Sequence, residues 1–177
     1  MSKNTKFITF LAAFTALATV ANIFVIPLNG GGNYISLLYI PCFFAGIFLG
    51  PVFGFVVGAL SDVIGMLIHP LGPWLPLITL ASGLLGFIPG MVFKYMKNKN
   101  TTMKLFLSLV LCLVVCTCGL NTLATYLAYS KGSTFWAYLG VRLPLQIPVA
   151  IINFIVIWDL LQVNAITKAL TINKKDA

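Results

Sequence analysis

The chain has 177 residues, of which 60% are hydrophobic and 8% charged, and its mean hydropathy is +1.03. So few polar side chains cannot cover a soluble domain, which excludes an ordinary water-soluble enzyme and describes a chain solvated by lipid. The net charge of +8 does not argue for a nucleic-acid partner, because the basic residues form short clusters between apolar runs, as the positive-inside rule requires.

The pattern predicts an all-α membrane protein: one substrate-binding domain over 1–177 with six transmembrane helices, near 7–27, 34–50, 52–68, 77–95, 105–129 and 136–163. The first span follows Lys3 and Lys6 and carries Ala12-x-x-x-Ala16, a smooth surface for close helix packing within the bundle or for a docking subunit. The glycines Gly30, Gly31 and Gly32 follow it, either as an outer gate loop or as a plain turn.

The long apolar run after Tyr34 is divided at Gly50-Pro51, since proline removes a helix donor. Gly46, Gly50, Gly54 and Gly58 recur every four residues, a spacing that lets membrane helices approach closely. Asp62 and His69 lie seven residues apart, two turns along one side of a helix. Asp62 is expected in the outer half of the membrane, paired with Arg142 or reading a ligand's donors. The proline-rich connection Pro70-Leu-Gly-Pro-Trp-Leu-Pro76 is stiff and presents Trp74, an interface anchor or a stacking wall.

The fourth span ends in the cluster Lys94, Lys97, Lys99 and Lys104; with Lys3, Lys6, Lys168, Lys174 and Lys175 these assign both termini to the cytoplasm. In the fifth span Asn121, Thr125 and Tyr129 share a helix face, and in the sixth Arg142, Gln146 and Asn153 share another. An arginine at membrane depth is kept only where it meets a cavity, a partner or a ligand. Pro144 and Pro148, just after it, free backbone carbonyls beside a cavity. With Trp74, Tyr126 and Trp136 interleaved, these groups suit a flat aromatic solute bearing an anionic group.

The four cysteines, Cys42, Cys112, Cys116 and Cys118, lie in apolar runs without zinc-site spacing and are expected to pack as small apolar residues, with no metal. One histidine, no glutamate and three scattered aspartates cannot assemble an intramembrane hydrolase, so no catalytic residue is expected. Without a phosphate-binding loop no cofactor is expected, and any ATP would be used by other chains. A stand-alone proton-coupled carrier titrating on Asp62 is the competing class.

The ordered set of the Ala12/Ala16 surface, Ile40-Pro-Cys-Phe-Phe-Ala-Gly-Ile-Phe-Leu-Gly-Pro51, Val57-Gly-Ala-Leu-Ser-Asp-Val-Ile-Gly65 and Pro70 to Pro76 resembles the S components of energy-coupling factor (ECF) vitamin transporters. Leu120-Asn-Thr-Leu123 and Phe135-Trp-Ala-Tyr-Leu-Gly-Val-Arg-Leu-Pro144 look most like the folate-specific branch. The resemblance implies capture of folate or a related vitamin (the alternative being an S component for pantothenate, pyridoxine or a similar vitamin), docking through the alanine face on a scaffold subunit with two ATPases, and Asn121, Arg142 and Gln146 lining the site. Where that branch is expected to carry a second basic residue, this chain has Leu145.

Overall fold

The computed structural model describes residues 3–29, 33–70, 72–129 and 134–163. Among them, six helices and one hairpin follow in the order α1 (Lys3–Ile23), β1 (Ile26–Asn29), β2 (Asn33–Ile35), α2 (Tyr39–Leu49), α3 (Pro51–Ile68), α4 (Pro76–Tyr95), α5 (Thr101–Tyr129) and α6 (Phe135–Gln162). The last four are long and apolar enough to cross a membrane.

Two of the expected spans are corrected at the hairpin. The first helix ends at Ile23 rather than at residue 27, because Ile26–Asn29 pairs antiparallel with Asn33–Ile35 instead, with a bulge between Pro27 and Asn29. The second helix starts only at Tyr39, after a turn in which the Leu38 amide donates to Ser36 Oγ at 3.2 Å. At 11 residues α2 is about 16 Å long, half the depth of a bilayer core. A two-stranded ribbon leaves edge groups that lipid cannot satisfy, so the hairpin belongs at the aqueous end of the bundle. Gly30, Gly31 and Gly32 lie outside the described residues.

Gly50 separates α2 from α3 with φ +93°, a conformation that suits a glycine, and Pro51 opens α3 at its first turn, where its missing N–H costs nothing. The other three glycines of that series do pack: a Cβ on Gly54 would stand 2.5 Å from the Gly86 carbonyl oxygen, and those on Gly46 and Gly58 would strike the backbone of Gly86 and Ser82. Helices α2, α3 and α4 therefore meet backbone to backbone. Against this seam sits a core of Phe43, Val57, Leu85, Leu105, Leu109 and Ile157, with Cys42, Cys112 and Cys116 buried in it as free thiols. Apolar residues such as Phe10, Leu67, Phe106 and Ile151 point outward, which suits a lipid-facing surface.

Candidate functional site

At the hairpin end of the bundle lies a cavity of about 220 Å³. A single water occupies about 30 Å³ of liquid, so the space is of a size for an organic solute. Every helix contributes to its wall: Asn22 from α1, Tyr39 from α2, Asp62 and Gly65 from α3, Ser82 from α4, four residues from α5, and Arg142 and Gln146 from α6, with Ser36, His69 and Gly72 from the connections.

The α5 wall depends on a change of helix type. Leu113–Asn121 is π-helical, and just past it the Thr122 hydroxyl donates back to the Thr117 carbonyl, five residues earlier, at 2.7 Å. Four residues overshoot one turn of α-helix but fall short of one π turn, so the two drifts offset. Thr117, Asn121, Thr125 and Tyr129 thereby all reach the cavity from one helix.

Arg142 is 6% exposed on α6. Its Nη1 donates across to the Asn121 carbonyl at 3.2 Å and to Thr125 Oγ1, and Thr125 Oγ1 in turn donates to the Asn121 carbonyl at 2.7 Å. The charge is thus tied to the first turn after the π segment. Beside it, the Asn121 Oδ1 atom is buried without a hydrogen-bond partner among the described residues. Such an acceptor is costly unless something donates to it.

Asp62, 9% exposed, is gripped from α4: Thr79 Oγ1 donates to Oδ2 at 2.7 Å and Ser82 Oγ donates to Oδ1 at 3.3 Å. Both of its oxygens are taken up by hydroxyls, and the residue still borders the cavity. On the same cavity wall, the Tyr39 hydroxyl and Thr117 Oγ1 bond at 2.6 Å and join α2 to α5. Asn22 Nδ2 donates to the Ser61 carbonyl at 3.3 Å, close against Gly65, where a Cβ would come within 2.7 Å of that nitrogen.

Of the residues expected at a site, Asp62, Asn121, Thr125, Tyr129, Arg142 and Gln146 all border this one cavity. Both tryptophans stand off its wall. Trp74 is largely exposed and donates its indole N–H to Thr79 Oγ1 at 3.1 Å, and Trp136 is 76% exposed, edge-on to Phe135 at 5.8 Å between centroids. Both rings are largely exposed, as those of interfacial indoles are. Asn153 is fully buried and bonds the Val149 and Ser36 carbonyls at 2.9 and 3.4 Å, so it ties α6 to the connection just after the hairpin rather than lining the cavity.

Asn22, Ser36, Tyr39, Ser82 and Thr117 are wall residues that sequence reasoning passed over. Thr117 stands four residues before Asn121 and was within reach of the same periodicity. Tyr39 and Asn22 meet their partners across dozens of residues, and no local spacing signals them.

Arg142 and Asp62 thus supply charge of both signs, with amide and hydroxyl groups between them, inside an apolar bundle. A family model described as the S component of an ECF-type riboflavin transporter matches residues 2–168. The chain belongs to this family of S components. It is therefore a membrane-embedded, substrate-binding component of a transporter rather than an enzyme. A curated relative, the folate transporter FolT of Clostridium novyi (strain NT), is 41% identical over 66 residues, and that match spans 37% of this S component and 37% of the relative. The crystal structure of FolT bound with folic acid has the same fold, with a TM-score of 0.74 and 27% identity over 86% of this chain and 91% of that one.

Proposed function

We propose that this S component captures folate from the outer side of the membrane and delivers it inward when docked on a scaffold subunit that carries two ATPases. The observation that carries the reading is a single cavity bordered by both a buried guanidinium, Arg142, and a buried carboxylate, Asp62. Folate is a molecule with two matching ends: a pterin ring whose amino and N–H groups suit a carboxylate, and a glutamate tail whose carboxylates suit an arginine. Riboflavin, named in the description of the family, has no anionic group to offer Arg142. The names of the folate transporter relative and of the folic-acid-bound structure support the same choice.

The orientation follows from charge. Lys94, Lys97, Lys99 and Lys104 cluster at the end of the bundle opposite the cavity, as do Lys3 and Lys6, so the cavity opens outward with the N-terminus cytoplasmic. Toward that inner end, Cys112, Leu109 and Leu105 succeed the polar groups of α5, and the buried Ser108 hydroxyl is turned back onto the Lys104 carbonyl of its own helix, so among the described residues α5 offers no polar path inward. Release inward then requires movement of the whole subunit against its partners. Ala12 and Ala16 are exposed on α1 and provide a smooth face for docking.

Uptake into proteoliposomes tests this reading. Reconstituted with scaffold and ATPase subunits, the chain should accumulate radiolabelled folic acid only when ATP is supplied, with no competition from excess riboflavin. ATP-dependent uptake of riboflavin in preference to folic acid would overturn it.

A further inference from the structure

We propose that Thr79, which does not border the cavity, determines what the cavity selects by fixing the direction in which the Asp62 carboxylate accepts hydrogen bonds. The inference rests on the folate reading above and deepens it. Trp74 Nε1–H donates to Thr79 Oγ1 at 3.1 Å, and Thr79 Oγ1 donates to Asp62 Oδ2 at 2.7 Å. An indole nitrogen can only donate, so it occupies an acceptor position of the threonine hydroxyl, whose single proton is left for Asp62. The relay therefore runs one way, from an exposed loop residue through a half-buried hydroxyl to a buried carboxylate.

Ser82 adds a second, longer grip at 3.3 Å on Oδ1. Held at both oxygens, the carboxylate cannot turn to suit whatever enters, and its remaining acceptor positions are set before a ligand arrives. A fixed carboxylate suits a ring edge with two adjacent donors, such as the 2-amino group and N3–H of a pterin. It disfavours a flavin edge, where the single N3–H is flanked by two carbonyl oxygens that would face the carboxylate. Thr79 is thus a positioning residue, and its effect should appear only with ligands that carry the amino donor.

Calorimetric titrations with folic acid and with its 2-desamino-2-methyl analogue, which lacks that donor, make the test. Wild-type protein should prefer folic acid by about ten-fold or more. Thr79→Val should weaken folic acid by about ten-fold while leaving the analogue within about two-fold, and Thr79→Ser, which keeps the hydroxyl, should restore the preference. If Thr79→Val weakens both ligands equally, or neither, Thr79 supports the fold only and the proposal fails. Equal wild-type affinity for both ligands would show that the amino group is not read at Asp62 and would remove the basis of the proposal while leaving folate binding in place. No wild-type affinity for folic acid at all would overturn the folate reading itself.

Discussion

Arg142 of α6 and Asn121 of α5 are joined by a hydrogen bond from Nη1 to the main-chain carbonyl at 3.2 Å, so the buried charge is anchored on the helix that also lends the cavity an amide oxygen with no partner among the described residues. The anchor holds the guanidinium at the wall without a ligand having to organise it. Such an arrangement serves recognition of an anion, because little ordering remains to be done on binding.

Removing that charge separates binding from folding. Arg142→Ala should weaken folic acid by about 2–5 kcal/mol, the range for truncating one partner of a buried charge pair, while the protein stays monodisperse in detergent. Arg142→Lys should recover only part of this, since an ammonium lacks the planar fork that meets a carboxylate through two bonds. Calorimetry of the three proteins reads the series; an unchanged affinity in Arg142→Ala would remove Arg142 from the site.

The glycine seam makes a prediction about stability. Gly54→Ala sets a methyl group 2.5 Å from the Gly86 carbonyl oxygen, and the helices must move apart to admit it, at a cost of roughly 1–3 kcal/mol. Gly140→Ala on the exposed side of α6 meets nothing within 4 Å and should be neutral or stabilising by up to about 1 kcal/mol. Thermal unfolding in detergent should therefore move down for the first and hold or rise for the second. Equal effects would mean that α3 and α4 do not meet at Gly54.

Much of this architecture was legible in the chain because its signals are local. Pro51 and Pro76 mark helix starts, and Gly46, Gly54 and Gly58 announce a close contact by their spacing alone. The hairpin was not legible: Ile26, Leu28 and Ile35 are as apolar as any membrane helix, and what makes them strands is pairing between two segments. The π-helical stretch over Leu113–Asn121 leaves the hydrophobic pattern of α5 unchanged, so its effect on the wall emerges only from backbone geometry. The places of Trp74 and Trp136 off the cavity wall were not legible either, because an indole at the edge of a membrane has one sequence signature whether it faces a cavity or the interface.

Docking should be separable from capture. Ala12→Trp combined with Ala16→Trp covers an exposed face of α1 far along the helix from the Asn22 wall, so folic acid binding to the isolated subunit should persist within about two-fold while assembly with the scaffold and transport are lost. Co-purification and proteoliposome uptake measure the two halves. Loss of binding together with assembly would instead make the alanines part of the fold.

The most direct measurement is calorimetric titration of the detergent-purified subunit, without partners, against folic acid, folinic acid, riboflavin, pantothenate, thiamine and pyridoxine. Tight one-to-one binding of a folate, with no heat from riboflavin, is the result expected of a cavity that carries both Arg142 and Asp62. Tight binding of riboflavin with none of either folate would contradict the assignment.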